Sequence, residues 1–335
     1  MAGLTLVTPA GATDFTQSSE KRPQRIVSLA PAITETLFAL GLGSRVVGVS
    51  TYCDFPAQAR ALPKVGSFSE PVAEAIVALK PDLVLTSPSP GNETTVRAIQ
   101  ATGIEVEVVK SEGGIAEARA AMLDAARFAG AEAAGAALVS RIDSRLSAVK
   151  TAARSLPHPS VAVVIGREPL VLAGPDSYLG ELVALAGGSN IAEPVGGRWP
   201  RVSMEFLVAA APDVLVDLAA AMGDGDGPQG SSDAGGPAAK HGSGGSGTGA
   251  EKGAAPGGSG KAAGGKAAIA AGSGPGQTDG PWARLTSIPA VANGRIVAPD
   301  SALMLRPGPR LADAAEALFA ALHPGASLPR PAMAE

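Results

Sequence analysis

The sequence predicts an α/β protein built from two similar Rossmann-like lobes with mainly parallel sheets, joined by one long α-helix. Three observations predict this fold. Short β-branched runs alternate with helical segments in both halves, the halves share an internal repeat, and residues 115–152 between them are mostly good helix formers. The chain has 335 residues, of which 45% are apolar, and this is enough for two domains with cores of their own.

The N-terminal lobe is predicted over residues 20–114. Its apolar runs are short and rich in β-branched residues, and helical segments separate them; two of these segments stop at Pro81 and near Gly103. Strands that alternate with helices indicate βαβ units and a largely parallel sheet. The strand candidates are residues 25–29, 46–50, 82–86 and 106–109.

The bridging helix is predicted over residues 115–152. This stretch has no proline and only two glycines, Gly130 and Gly135, and it is rich in alanine, leucine, arginine and glutamate. These residues favour helix. A single helix of this length would extend about 57 Å, because each residue adds about 1.5 Å. That is too long for one small lobe, so we expect the helix to connect two.

The C-terminal lobe is predicted over residues 158–325, interrupted by a glycine-rich insertion at residues 222–280. The insertion holds 21 of the 43 glycines and no aromatic residue. Such a composition buries too little apolar surface to offset its chain entropy, so we expect a flexible segment. Regular structure is predicted to return at Trp282 and to end with a helix over residues 311–322.

An internal repeat relates the two lobes. Residues 37–46 recur at residues 182–191, and residues 74–85 recur at residues 205–216, in the same order. In the second pair a glutamate leads a short apolar helix, a Pro-Asp step follows at the same distance, and an apolar strand comes next. We infer that the lobes are similar and that a ligand binds between them, because pockets favour domain interfaces.

Several functions are disfavoured by composition and motifs. The formal net charge is −4 and no basic run occurs, which gives no reason to expect nucleic-acid binding. The three histidines and the single Cys53 show no metal-site spacing, so we predict no metal site and no cofactor. No catalytic serine elbow, P-loop or dinucleotide glycine motif is present, so we predict that the protein is not an enzyme.

The N-terminus shows no secretory signal, because no basic residue precedes Lys21. We expect one of three explanations: a leader that has been removed or omitted, a true start further upstream, or a cytoplasmic protein.

The segment that begins at Arg25, Arg-Ile-Val-Ser-Leu-Ala-Pro-Ala-Ile-Thr-Glu, resembles the opening of the helical-backbone class of periplasmic binding proteins. That class imports cobalamin, haem and ferric siderophores. Within it, Tyr-Cys-Asp-Phe-Pro at residues 52–56 and Trp-Pro-Arg-Val-Ser at residues 199–203 are most similar to the cobalamin binders. The resemblance spans residues 20–220 and 281–325, and the glycine-rich insertion departs from it.

The resemblance implies the substrate-binding component of an ABC importer, which captures cobalamin or another corrinoid and delivers it to a permease dimer with its ATPase. It also implies that Tyr52, Phe68 and Trp199 contact the ligand, although Phe68 stands where the family usually has tryptophan. A corrinoid is a broad, mostly apolar disc edged with amides. Aromatic side chains can bury its faces while a few polar groups orient it.

Polar roles also follow from the resemblance. Asp300 and Arg306 match residues that contact the ligand's rim, and Arg310 is an alternative to Arg306 because the spacing here is longer. Glu74 and Glu205 resemble the two exposed glutamates that dock onto permease arginines. The repeat supports this docking independently, because it places one carboxylate on each lobe at equivalent positions. Alternatively, each glutamate only stabilises the start of its helix.

Two other functions remain open. The first is a haem or ferric-siderophore binder of the same class, in which Tyr52 or Tyr178 would serve as an axial haem ligand. An anionic siderophore would instead need arginines in the cleft. The second is a cytoplasmic corrinoid-handling protein, which the absent signal favours. From the family we expect a monomer that is periplasmic or membrane-tethered. The candidate cleft arginines are Arg198, Arg201, Arg306 and Arg310.

Overall fold

The computed structural model describes residues 22–219 and 280–328. The predicted flexible insertion at residues 222–280 lies outside the described residues, apart from Gly280. Among the helices that are described, none is both long enough and apolar enough to span a bilayer.

The N-terminal lobe is a parallel sheet covered by helices on both faces. Its strand order is β2-β1-β3-β4, and every neighbouring pair is parallel. All residues of the central strand β3 are buried, which explains why its sequence is a continuous apolar run. The elements are β1 (Ile26–Ser28), α1 (Pro31–Ala39), β2 (Val46–Val49), α2 (Ala57–Arg60), α3 (Ala73–Ala78), β3 (Leu83–Thr86), α4 (Glu93–Gln100) and β4 (Glu105–Val108).

The C-terminal lobe repeats this topology. Strands β7, β5, β8 and β9 form a parallel path with the order of β2, β1, β3 and β4. One antiparallel strand, β6, is an addition that pairs with the far half of β5. The elements are β5 (Ser160–Arg167), β6 (Leu170–Leu172), α7 (Tyr178–Leu185), β7 (Ser189–Asn190), α8 (Met204–Ala210), β8 (Val214–Asp217), α9 (Pro289–Ala292), β9 (Ile296–Val297), α10 (Ser301–Met304) and α11 (Leu311–Leu322).

The helix of the repeat stops in the same way in both lobes. Lys80 and Ala211 follow α3 and α8 with φ of 48° and 45°, a left-handed conformation that is uncommon for residues other than glycine. Each directly precedes the proline of the Pro-Asp step. Proline disfavours the α conformation in the residue before it, so the helix cannot continue.

The aspartate of each Pro-Asp step pins the start of a neighbouring strand. Asp82 accepts hydrogen bonds from the backbone N–H groups of Gln24 and Arg25 at 2.8 and 2.9 Å. Asp213 accepts from the backbone N–H and the hydroxyl of Ser160 at 2.9 and 2.8 Å. The repeat therefore encodes a strand anchor as well as a helix stop.

The connection between the lobes differs from the predicted single helix over residues 115–152. Two helices, α5 (Ile115–Phe128) and α6 (Glu132–Ala153), fold back on each other as a hairpin. Gly130 makes the turn with φ of 66°. Gly135 lets the helices approach closely, because a Cβ there would lie 2.4 Å from the Cβ of Ala126. The two glycines of the stretch are therefore the signal that this prediction missed.

Helix α5 belongs to the cores of both lobes. Ala121 and Ala125 pack into the core of the N-terminal lobe, whereas Ile115 and Met122 pack into that of the C-terminal lobe. Helix α6 packs against α7 and α11 of the C-terminal lobe. The lobes are thus joined through the buried side of α5, one helix of the hairpin, and not by a single long helix that runs from one lobe to the other.

We expect the substitution Asp213→Ala to lower the free energy of unfolding by about 1 kcal/mol at pH 7, because two donors lose their acceptor. Hydrogen bonds from the Ser160 backbone and hydroxyl hold the pKa of Asp213 below its ordinary value of 3.8. The stabilisation is therefore complete at neutral pH and is lost as the pH falls through this lowered pKa. Urea unfolding at pH 7 and pH 3 measures both effects.

The control for this experiment is Asp124→Ala, which removes an exposed ion pair with Arg127. Its effect should stay within about 0.5 kcal/mol. Equal losses in the two variants would contradict an anchoring role for Asp213.

Candidate functional site

The candidate site is the cleft between the carboxyl ends of the strands of the two lobes. Tyr52 and Asp54 follow strand β2, and Arg306 follows strand β9 and helix α10. Arg306 reaches across to bond with Asp54 and with the Tyr52 carbonyl, so these two sheet edges face each other. In α/β folds, ligands bind outside the carboxyl ends of strands.

Two of the predicted ligand residues form an aromatic pair on the N-terminal side of the cleft. The rings of Tyr52 and Phe68 lie 5.7 Å apart and are tilted by 55°. Tyr52 is 52% exposed and Phe68 is 41% exposed, which is unusual for large apolar rings. The pair therefore offers an uncovered aromatic surface that a ligand could bury.

Asn92 holds the loop that carries Phe68, and the sequence alone gave no signal for this role. Its side chain is buried and donates hydrogen bonds to the carbonyls of Phe68 and Ser87 at 3.2 and 3.1 Å. A buried amide with these partners fixes the backbone on which the aromatic ring sits.

Trp199 lies on the other lobe and packs edge-on against Tyr178, with ring centroids 6.4 Å apart. Tyr178 is buried and donates its hydroxyl proton to the Met304 carbonyl at 2.7 Å. Burial raises the pKa of Tyr178 far above its ordinary value. A protonated, buried and hydrogen-bonded phenol is poorly placed to ligate haem iron, so Tyr178 supports Trp199 instead.

Arg306 joins the two lobes instead of standing free in the cleft. One terminal nitrogen, Nη1, donates to Asp54 at 2.5 Å and to Glu35 at 3.3 Å. The other, Nη2, donates to the Tyr52 carbonyl at 3.2 Å. The predicted contact of Arg306 with the ligand's rim stays a prediction, and most of its donors already have partners.

Arg310 completes an interlobe ion cluster with Glu35, Asp54 and Arg306. Its Nε and Nη2 each donate to the Glu35 carboxylate at 2.7 Å, which is a bidentate pair. Its guanidinium also lies 4.1 Å from the centre of the Phe55 ring. The Glu35 side chain is only 2% exposed, and nothing in the sequence pattern pointed to its burial or its partners.

Electrostatics keep Asp54 and Arg306 of this cluster ionised at neutral pH. Burial by itself raises the pKa of Asp54, but the hydrogen bond and positive charge of Arg306 outweigh burial and lower it. Burial by itself lowers the pKa of Arg306, but its hydrogen bond with Asp54 and the nearby carboxylates raise it. Each partner thus stabilises the charged form of the other.

The remaining predicted polar residues have local roles in the structure. Asp300 accepts a hydrogen bond from the backbone N–H of Ala302 at 2.9 Å and caps helix α10. Arg198 approaches Glu112 of the N-terminal lobe at 3.5 Å. A cavity of about 380 Å³ lies beside the ion cluster and is lined by Glu35, Phe38, Ala39, Phe55, Pro56, Gln58, Pro309 and Arg310.

Glu74 and Glu205 are exposed and occupy the first turns of α3 and α8, at equivalent positions of the two lobes. The hydroxyl of Ser203 and the residue's own backbone N–H lower the pKa of Glu205, so this carboxylate is charged at neutral pH. An exposed apolar residue lies beside each carboxylate: Val72 near Glu74, and Met204 next to Glu205.

Within residues 22–219 and 280–328, no group of three or more histidine, cysteine, aspartate or glutamate side chains could hold a metal ion. His323 is buried against the Ala186 carbonyl at 2.8 Å. Cys53 is buried between the hydroxyls of Thr34 and Ser50, each at 3.1 Å. Both side chains are therefore part of the packed interior of the fold.

This fold and cleft define a two-lobed binding protein. The chain matches the family described as periplasmic binding protein over residues 26–230, more than half of its length, and it belongs to that family. The resemblance drawn from the sequence is thereby confirmed, and so is the prediction of a binding protein instead of an enzyme.

Individual relatives share about 30% of their residues with this chain over more than half of its length. A cobalamin-binding protein of Halobacterium salinarum is 32% identical over 217 residues, which cover 63% of this chain and 58% of that protein. A substrate-binding lipoprotein of an uncharacterised ABC transporter in Bacillus subtilis, YvrC, is 30% identical and covers 59% and 64%. A vitamin B12-binding protein of Yersinia pestis is 30% identical and covers 58% and 69%. The chain thus spans less than two thirds of the first two relatives.

Solved structures confirm the predicted α/β, two-lobed fold class. The apo form of the periplasmic heme-binding protein RhuT from Roseiflexus sp. RS-1 superimposes with a TM-score of 0.65 at 25% identity, covering 90% of this chain and 99% of that chain. The vitamin B12-binding protein BtuF of Vibrio cholerae gives a TM-score of 0.62 at 22% identity, covering 90% and 97%. The second likeness concerns the fold alone.

We expect Glu35→Ala to destabilise the protein by roughly 3 kcal/mol, because it leaves the partly buried guanidinium of Arg310 without its carboxylate and leaves Arg306 with Asp54 alone. Urea unfolding at pH 7 measures the loss. The control is Asp143→Ala, which breaks the more exposed ion pair with Arg119 and should cost less than about 1 kcal/mol. A loss no larger than that of the control would mean that Glu35 contributes little to joining the lobes.

Proposed function

We propose that this protein is the substrate-binding component of an ABC importer and that it captures cobalamin or another corrinoid between its lobes. The observation that carries the proposal is the exposed pair of Tyr52 and Phe68 at the cleft edge. Two of the relatives, at 32% and 30% identity, are named cobalamin-binding and vitamin B12-binding proteins. Trp199 supplies an aromatic side chain on the facing lobe.

The physical basis is the match between a flat, mostly apolar ligand and aromatic side chains. The two exposed rings lose water contact when a disc covers them, and this burial is favourable without ordering flexible side chains. The interlobe ion cluster keeps the cleft in one arrangement, so little ordering has to occur on binding.

Membership of the periplasmic binding protein family also supports a proposal for how the ligand is delivered to the membrane. We propose that the loaded protein docks on a permease dimer through Glu74 and Glu205 and that an ATPase drives transport. Localisation is proposed as periplasmic or membrane-tethered, and the naming of the Bacillus subtilis relative as a lipoprotein favours a tether.

Haem is the second candidate ligand. It is favoured by the likeness to the heme-binding protein RhuT at 25% identity. Tyr52 is the candidate axial ligand because it is half exposed at the cleft, whereas Tyr178 is buried and engaged with Met304. A ferric siderophore is less favoured, because carboxylates already pair with Arg198, Arg306 and Arg310.

Titration of the purified protein with cyanocobalamin, followed by calorimetry and tryptophan fluorescence, tests the ligand. We expect saturable one-to-one binding that Trp199→Ala weakens at least about tenfold, or about 1.4 kcal/mol. Leu123→Ala, exposed on helix α5, is the control and should bind as the native protein does. Haem and a ferric siderophore are titrated in parallel. Binding of haem without cobalamin would keep the importer role and replace the corrinoid.

Docking is tested by uptake of labelled cobalamin in cells that contain the cognate permease. We expect the double variant Glu74→Ala, Glu205→Ala to bind cobalamin normally but to reduce uptake at least about tenfold, because charge pairs fix the register of an interface. The matched control replaces Glu93 and Glu132, which are also exposed in the first turns of helices. Equal uptake by both double variants would mean that Glu74 and Glu205 only stabilise their helices.

A further inference from the structure

Arg167, Asp217 and Trp282 form a hydrogen-bonded cluster at the carboxyl edge of the C-terminal sheet. Asp217 is only 5% exposed and accepts from Arg167 Nη2 at 2.8 Å, from Arg167 Nε at 3.3 Å and from Trp282 Nε1 at 2.6 Å. Its other oxygen accepts from the backbone N–H of Ala219 at 3.1 Å. Both oxygens of the carboxylate therefore accept hydrogen bonds from the protein itself.

The cluster lies on the cleft side of its lobe. Arg167 ends strand β5 and Asp217 ends the neighbouring parallel strand β8. The segment that follows β9, the next strand of this sheet, reaches across to the N-terminal lobe through Arg306. Arg167 therefore lies at the carboxyl edge of the sheet from which this crossing segment follows.

The guanidinium of Arg167 is held in one orientation with a donor to spare. Two of its three nitrogens bond to Asp217, and among the described residues none accepts from the third, Nη1. The side chain is 27% exposed, so solvent or a ligand can reach it. A planar guanidinium fixed by a buried carboxylate keeps its remaining N–H groups pointed at one place.

The neighbouring charge decides which acceptor suits this donor. Asp217 is buried beside Arg167, and its negative charge balances the positive charge of the guanidinium. The pair therefore has no net charge, although Nη1 of Arg167 can still donate a hydrogen bond. A ligand carboxylate at Nη1 would approach Asp217 as well and meet a like charge in a partly buried setting. A neutral carbonyl would take the same hydrogen bond without that repulsion.

We infer that Arg167 is a specificity-determining residue of the cleft that donates, through Nη1, to an uncharged carbonyl on the rim of the ligand. This inference rests on the proposed function. The amides at the edge of a corrinoid supply such carbonyls, whereas the rim groups of haem are carboxylates. Asp217 and Trp282 are positioning residues that act through Arg167.

A purely structural role makes a different prediction. If Arg167 only neutralises Asp217, then Arg167→Gln lowers the stability of the fold, because it leaves a buried carboxylate without its cation. Adding Asp217→Asn removes that carboxylate charge and should restore part of the stability, because the amide oxygen keeps one of the two hydrogen bonds from Trp282 and Ala219. Ligand affinity separates the two roles, because the double variant is neutral and well folded but lacks the guanidinium.

The experiment compares the native protein, Arg167→Gln, the double variant and the control Arg119→Gln, which lies in an ion pair between α5 and α6. Calorimetry with cyanocobalamin gives Kd at low and high salt, and thermal melting gives stability. We expect Arg167→Gln to melt earlier and to bind at least about tenfold more weakly. The double variant should melt later than Arg167→Gln but bind no more tightly than it, and Arg119→Gln should bind as the native protein does.

Salt separates the two kinds of acceptor. We expect native affinity to change less than about twofold between low and high salt, because a neutral acceptor makes no ion pair to be screened.

Three outcomes would overturn the inference while leaving the proposed function intact. These are native affinity in Arg167→Gln, recovery of affinity together with stability in the double variant, and a strong loss of native affinity with salt. Failure of the native protein itself to bind cyanocobalamin is a different result. It would reject the corrinoid, and with it this role for Arg167.

Discussion

The arrangement of the two lobes depends on the ion pairs that the buried carboxylate of Glu35 makes with Arg310 and Arg306. Glu35 lies on α1 of the N-terminal lobe and accepts two hydrogen bonds from Arg310 and a third from Arg306. Both arginines come from the segment before the last helix of the other lobe. Because Arg306 also binds the Tyr52 carbonyl, the same interaction fixes the lobe orientation and one aromatic side of the cleft. Buried ion pairs often contribute more to a unique arrangement than to net stability, and here that arrangement is the binding cleft.

The repeat explains why the two sides of the cleft are alike in backbone and different in chemistry. Each lobe uses a Pro-Asp step to stop one helix and anchor one strand, so the parallel sheets end at corresponding edges. The residues placed there diverge: exposed aromatic rings in one lobe, and a guanidinium with a buried tryptophan and carboxylate in the other. A duplicated scaffold thus carries a surface that can take an asymmetric ligand.

Local patterns predicted most of the fold, and long-range contacts account for what they missed. The β-branched runs located strands such as β1 and β3 within one residue at each end, and the repeat predicted similar lobes. The break at Gly130 was missed because good helix formers surround it, although the glycine itself was visible. Glu35 and Arg310 are 275 residues apart, so their pairing has no local signal. The aromatic candidate residues were predicted through family resemblance, and their contact with a ligand stays a prediction. The partners of Arg306 became visible only in the folded structure.

Helix α5 has a consequence for how the molecule comes apart. Its buried side contributes residues to both cores: Ala121 and Ala125 complete the core of the N-terminal lobe, and Ile115 and Met122 complete that of the C-terminal lobe. Neither lobe can lose its structure without exposing apolar surface that the other still needs covered. The lobes are therefore coupled thermodynamically and should behave as one cooperative unit, in contrast to domains joined by a free linker. Because the two lobes share this helix, local unfolding of one lobe would also expose core residues of the other. The cleft should therefore unfold only when the whole protein unfolds.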